Sequence, residues 1–251
     1  LQFFSQSQQQ NSLQNTQKPL PLIKYLQKYR CLVVLDDIHH LFSSGELAGK
    51  YKPGYEEYDC FFKQREKFSH DSCLLLIGWE QPIKLAQLKS KKTPIPILKL
   101  TGLDIASATE ILRDYGLAEI DNRERLIHLY QGNPLWLKSV ATQIQEFGEN
   151  LIELLPDDAI LLPEDLKDTL QKQSDRISET EKQTLSLLAT KNQPISLAQL
   201  LDTTQTSPSD LLNTLQSLCR RSIIEKQENL YSVPPVVREY YTILIKLRYE
   251  Y

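Results

Sequence analysis

Methionine is absent from the 251 residues, and the chain opens on Leu1. Natural chains of this length seldom lack methionine, so Leu1 is expected not to be the first residue of a full-length protein. Glycine is scarce at eight residues. An all-β protein with many tight turns would need more, and a mostly helical chain is expected. The four cysteines, Cys31, Cys60, Cys73 and Cys219, form no Cys-x-x-Cys pair. They read as reduced, mostly buried thiols in a cytoplasmic protein. No apolar run approaches the ~20 residues that span a bilayer, and Leu1–Lys18 is too polar for a signal peptide, so no membrane partner is expected. Basic excess is also lacking. The net charge is −3, which speaks against a generally basic nucleic-acid binder.

What is present is ordinary for a globular chain of one and a half to two domains: 41% hydrophobic and 24% charged residues. Residues 1–18 are rich in Gln and Ser and read as a flexible tail. A short helix is expected over Leu20–Arg30. Cys31–Leu35 and Cys73–Ile77 are continuous apolar runs, read as buried, parallel strands. The first ends in Asp36-Asp37. Between them a helix is expected over Glu56–Phe68. After them come a helix over Pro82–Leu88 and a shorter third strand over Ile95–Leu100. From Leu20 to Leu100 helix and strand alternate, as in an α/β layered domain.

Beyond Thr101 the period is helical. Helices are expected over Asp104–Tyr115, Asp121–Tyr130, Pro134–Phe147, Glu164–Ser174, Ser178–Thr190, Ser196–Leu201 and Ser207–Arg221, with a Leu- and Pro-rich linker over Leu154–Pro163. Ser178 with Glu181 is a capping-box start. Ile223–Lys226 and Leu230–Val233 read as a hairpin, and three helices followed by a hairpin is the winged-helix pattern. An amphipathic helix over Pro235–Leu247 closes the chain and could pack on the winged helix or offer a partner-binding face.

Four strings, in order, resemble the NB-ARC branch of the STAND ATPases. Leu32-Val-Val-Leu-Asp-Asp37 looks like a Walker B strand. Gly54-Tyr-Glu-Glu-Tyr58 is followed by Ser72-Cys-Leu-Leu-Leu76 on the next strand. Gly132-Asn-Pro-Leu-Trp-Leu137 is similar to the family's Gly-x-Pro-Leu helix start. Arg220–Glu225 running to Tyr231–Tyr240 resembles the family's winged helix. The resemblance covers roughly Pro19–Tyr249. It implies an α/β remnant of a P-loop NTPase domain over 19–101, an all-α helical domain over 102–162 and a winged-helix domain with a C-terminal helix over 163–251. It also implies a nucleotide-binding (ADP/ATP) switch in signal transduction. Asp36 would hold Mg²⁺ at the β- and γ-phosphates, Asp37 would position or activate the attacking water, and Gly132 and Pro134 would lie on the adenine side. Protein partners, or further N-terminal and C-terminal domains, are implied as well.

The sequence departs from that pattern in three places. No Gly-x-x-x-x-Gly-Lys-Ser/Thr occurs, so the backbone cradle and its phosphate-binding Lys are missing. Trp79 stands where the family leads into a phosphate-sensing Arg, and Val233-Pro234-Pro235 stands where it often offers a His. This chain alone is therefore expected not to hydrolyse ATP. Two other readings stay open: a non-enzymatic protein-interaction module built on the winged helix, and a winged-helix DNA-binding regulator. Against the last, eleven Lys/Arg meet twelve Asp/Glu from Pro163 onward, and the candidate reading helix carries its bases, Arg220 and Arg221, at its C-terminal end. His39 and His40 read as surface or helix-start residues, Ser69-His70-Asp71 as a turn, and Lys84, Lys89, Lys91, Lys92 and Lys99 as a solvated face. Cys31 and Cys73 are expected side by side at the starts of adjacent strands, without a disulfide.

Overall fold

The computed structural model describes residues 19–59, 61–62, 71–83, 96–117, 122–148, 156, 158–191 and 193–249. The Gln-rich tail, Ser69 and His70, most of the Glu56–Phe68 and Pro82–Leu88 helices, and Lys84, Lys89, Lys91 and Lys92 lie outside the described residues. Two compact units divide the chain, Leu1–Pro96 and Ile97–Tyr251.

In the first unit, helix α1 (Pro19–Lys28) precedes strand β1 (Leu32–Leu35), which pairs in parallel with β2 (Cys73–Leu76). The register sets Leu32 beside Cys73 and Leu35 beside Leu76. Ser72, buried, stitches helix to strands. Its hydroxyl lies 2.9 Å from the Leu26 carbonyl oxygen and 2.8 Å from that of Tyr29, and accepts the Cys31 amide at 3.0 Å. It thereby satisfies carbonyls that the helix end leaves open. Val33, Leu35, Leu74 and Leu76 pack against Ile23, Leu26, Phe61 and Phe62.

The strands are not fully buried, as their continuous apolar runs had suggested. They alternate exposed and half-buried, and Leu32 is 67% exposed. One layer covers one face, and an uninterrupted apolar run cannot show which face lacks a cover. Cys31 and Cys73 are neighbours as expected, the Cys73 amide donating to the Cys31 carbonyl at 2.8 Å. They face opposite ways: Cys31 joins the packed cluster, Cys73 is exposed, and both thiols are free. The third strand expected over 95–100 is not formed by Pro96–Leu100. Pro96 has no N–H for a ladder, and Leu98 and Leu100 are exposed.

The second unit carries α2 (Ile105–Asp114), α3 (Arg123–Leu129), α4 (Pro134–Phe147), α5 (Glu164–Ser174), α6 (Glu179–Ala189), β3 (Ile195–Ser196), α7 (Leu197–Thr203), α8 (Pro208–Arg220), β4 (Glu225–Gln227), β5 (Leu230–Ser232) and α9 (Pro235–Tyr249). The starts follow local chemistry. Asp104, Asn133, Ser178, Ser196 and Ser207 each cap a helix through a side-chain oxygen, and Ser178 with Glu181 forms a capping box. The hairpin forms over slightly shorter strands than expected. It gains a third, two-residue strand, in the order β3-β5-β4, which is too short to leave a periodic signal. The linker expected over 154–163 is packed in its described part. Leu162 is buried, and the Tyr130 hydroxyl donates to the Leu161 carbonyl at 2.8 Å. Leu162 is a core residue and Leu161 packs against that core, which a Pro-rich composition obscures. A single core runs from Ala108 to Tyr241 through this unit.

Inside that core, Glu181 and Arg221 form an ion pair at 3.2 Å with side chains 0% and 4% exposed. The Ser217 hydroxyl donates to the same carboxylate at 2.6 Å. Helix α9 is held on α5 by two hydroxyls. Tyr240 donates to Gln171 Oε1 at 2.6 Å, and Tyr241 lies 2.9 Å from the Ser174 hydroxyl.

Candidate functional site

Each unit places one group of the residues singled out by sequence. In the first, the parallel pair continues past the strands. The Ile77 amide donates to the Leu35 carbonyl and the Ile38 amide to the Ile77 carbonyl, both at 2.9 Å. Two loops thus meet at the carboxyl ends of the strands, where open α/β sheets tend to bind ligands. Asp36 and Asp37 are exposed there. The Asp37 amide donates to Asp36 Oδ1 at 2.9 Å. Asp37 takes the left-handed conformation, φ 51°, ahead of a 3-10 turn over Ile38–Leu41. Asp tolerates that conformation because its short side chain can bond locally.

The turn buries His39 rather than leaving it on the surface. The imidazole stacks on the Trp79 indole with centroids 4.5 Å apart and planes 6° from parallel. Its Nδ1 lies 3.6 Å from Asp37 Oδ1. His40 is exposed. Gly78 lets the loops approach: a Cβ there would lie 2.8 Å from Ile38 Cγ1. Glu80, buried, accepts the Gly49 amide at 2.5 Å. Two adjacent carboxylates are hard oxygen donors of the type Mg²⁺ takes, one or two at a time, alongside phosphate oxygens. Among the described residues no group of three or more His, Cys, Asp and Glu side chains could cage a metal ion. Two carboxylates alone would suit a cation only where another group helps to hold it.

In the second unit, Gln131 and Gly132 both have positive φ, 52° and 63°. The Leu103 amide donates to the Gly132 carbonyl at 2.8 Å. A Cβ on Gly132 would lie 2.3 Å from the Leu103 carbonyl oxygen, and one on Gly102 would lie 1.7 Å from that of Gln131. The two glycines let two backbone segments cross, so the chain itself fills the space that Gly132 leaves. Asn133 caps α4, accepting from the amides of Leu135 and Trp136 at 3.0 and 3.3 Å, and Pro134 occupies the first turn. Leu103, Asp104, Ile105, Ile127, His128 and Gly132 line an open depression beside this crossing. Its lining is mixed, with Leu103, Ile105 and Ile127 beside His128 and Asp104. Asp36 and Asp37 lie together in one unit, Gly132 and Pro134 together in the other.

Sequence reasoning reached the two acids and the Gly-Asn-Pro turn. It missed the His39–Trp79 stack, the Gly102–Gly132 crossing and the Glu181–Arg221 pair. Each joins residues about 30 or 40 positions apart and leaves no local signal.

The chain shares its fold with the Walker-type ATPase of Pyrococcus abyssi, at a TM-score of 0.56 and 17% identity over 85% of this chain and 63% of that one. The likeness is one of fold. A STAND protein with a tetratricopeptide repeat sensor from Pyrococcus horikoshii is a looser likeness, at a TM-score of 0.37 and 19% identity over 93% of this chain and 30% of that one. Among curated proteins, an uncharacterized WD repeat-containing protein of Nostoc sp. is 34% identical over 248 residues, which is 96% of this chain. The chain spans 20% of that relative's length. No family model matches. No helix among the described residues is long and apolar enough to cross a membrane.

Proposed function

We propose that this chain is part of a STAND-type, NB-ARC-like nucleotide switch in signal transduction. The observation that carries the reading is the fold shared with a Walker-type ATPase, with Asp36 and Asp37 at the carboxyl end of a parallel strand. In this reading 19–101 is part of the nucleotide-binding domain, 102–162 the helical domain and 163–251 a winged helix with its C-terminal helix. The run from α6 to β5, helices followed by a small antiparallel sheet, supports the last assignment.

Bound Mg²⁺ would supply charge neutralisation at the phosphates of ADP or ATP. Asp36 would ligate it, and Asp37 would orient a water. Gly132 and Pro134 would lie on the adenine side, as the resemblance implies. Without a phosphate loop the chain lacks the main positioning and electrostatic contributions to phosphoryl transfer. It binds in this reading, and it does not turn over.

Titration with a fluorescent ADP analogue in the presence and absence of Mg²⁺ tests the reading. Saturable binding, weakened by Asp36→Asn only when Mg²⁺ is present, is the expected result. No saturable binding of ADP or ATP would sink it. The second reading, a non-enzymatic protein-interaction module built on the winged helix, would then stand.

A further inference from the structure

Several surface cations of this chain are answered by a carboxylate three or four residues away, as in Lys50–Glu46, Arg113–Glu110, Lys167–Glu164 and Lys182–Glu179. Helix α1 is different. No acidic residue occurs from Leu1 to Leu35. Ile23 and Leu26 are buried against the sheet, while Lys24, Tyr25, Gln27 and Lys28, with Tyr29 and Arg30 just past the helix end, are exposed. Among the described residues the side chains of Lys24, Lys28 and Arg30 form no ion pair or hydrogen bond. Exposed Asp71, beside the Ser72 that bonds the end of α1, does not pair with Arg30. Lys24 and Lys28 stand four residues apart, where like charges repel and cost a helix stability. The helix dipole accounts for Lys28 in the last turn and not for Lys24. The two tyrosines remain 40% and 46% exposed. Their ring centroids are 4.8 Å apart, and Lys28 Nζ lies 5.1 Å from the centroid of the Tyr29 ring.

We propose that the outer side of α1 binds single-stranded nucleic acid, with Lys24, Lys28 and Arg30 on the phosphates and Tyr25 and Tyr29 against the bases. Lys24 with Lys28, and Tyr25 with Tyr29, make two adjacent rows along the helix, one basic and one aromatic, each rising about 6 Å per step. A strand laid along α1 meets charge on one row and rings on the other, the combination that single-strand binders use. A duplex encloses its base faces, so the tyrosines would gain nothing from one. A membrane surface would need an aliphatic face to insert, and Ile23 and Leu26 are already buried. An acidic polypeptide would answer the cations and leave both rings without a role. The chain as a whole carries a net charge of −3, so the attraction is local to this helix. The end of α1 leads to the amino end of β1, whereas Asp36 follows its carboxyl end. The proposal does not rest on nucleotide binding.

Fluorescence anisotropy of the full chain with labelled oligothymidylate and oligouridylate of about ten nucleotides tests this. Saturable binding is expected, with log affinity falling against log salt at a slope of about −2, from three phosphate contacts at about 0.7 each. Lys28→Gln should reduce the slope by about 0.7. Tyr29→Leu should weaken binding about tenfold with the slope unchanged, while Tyr29→Phe, which keeps the ring face, should bind as the parent does. These side chains are exposed, so the melting temperature should not move. Should Tyr29→Leu lower it, Tyr25→Leu beside Tyr25→Phe reads the same row. Binding of either oligonucleotide supports the proposal, and their ratio separates DNA from RNA. Absence of salt-dependent binding would overturn it, as would equal affinity for Tyr29→Leu and Tyr29→Phe in folded protein. Equally tight binding of a dA·dT duplex would do so too. So would displacement of the oligonucleotide by an oligoglutamate peptide of equal charge or by phosphatidylserine vesicles, which would assign the face to an acidic polypeptide or to a membrane.

Discussion

Gly102 and Gly132 cross so closely that neither position admits a side chain. A methyl on Gly102 would lie 1.7 Å from the Gln131 oxygen, and one on Gly132 would lie 2.3 Å from the Leu103 oxygen. Both obstacles are backbone, so relief requires moving a segment. Gly132→Ala should therefore cost more than about 2 kcal/mol, at the severe end for single substitutions, read as a fall in the urea midpoint. Asp37 behaves differently. It is exposed and sits at φ 51°, where a β-branched residue is disfavoured and Gly is not. Asp37→Val should lose about 1–2 kcal/mol. Asp37→Gly should fall within about 1 kcal/mol of the parent on the same assay. A large loss in Asp37→Gly would mean that the carboxylate, through its approach to His39, supports the fold. The Asp36-Asp37 string was legible because it follows an apolar run. That Trp79 would lie flat on His39 was not, because the contact depends on Gly78 bringing the second loop in.

At the scale of elements, helix starts were the most legible feature. A side-chain acceptor at the cap answers open amides within three residues, so the information is local. Pairing between elements was less so. Helices α6 and α8 are joined through Glu181, Ser217 and Arg221. An ion pair this deep contributes little net over an apolar pair, yet removing one partner strands the other charge. Glu181→Ala or Arg221→Ala alone should cost about 3–5 kcal/mol. The double replacement Glu181→Ala with Arg221→Ala should cost less than the sum of the two singles, in a double-mutant cycle read by chemical denaturation. Simple additivity would show that the two side chains act independently. The two strands of the first unit teach the converse. Their composition announced strands and their pairing, while their exposure followed from the layer that packs on them.

For the whole molecule, the two units rest on very different cores. Among the described residues the sheet of the first packs on four buried apolar side chains, and the second holds thirty in one cluster. Amides of Val33–Leu35 should therefore exchange with solvent faster than those of α4 and α8, with protection falling towards the first unit. Equal protection in both would contradict this ranking. Alkali should weaken the second unit. Burial pushes the Tyr241 phenol up to about 12 and raises those of Tyr130 and Tyr240 as well. An unfolded tyrosine releases its proton near pH 10, whereas native Tyr241 keeps it. Stability should thus fall from about pH 10 to 12, by about 1.4 kcal/mol per pH unit for Tyr241. Tyr241→Phe should flatten that slope in urea titrations at graded pH. By itself the sequence determined the helical second half, the caps, the pair of parallel strands and the acids at their end, because periodicity, caps and run length act within a few residues. Only the tertiary structure decided which sheet face is bare, that His39 is buried against Trp79, and that the residues from α2 to α9 share one core. Burial belongs to the neighbours that fold against a residue, and those neighbours lie tens of positions away.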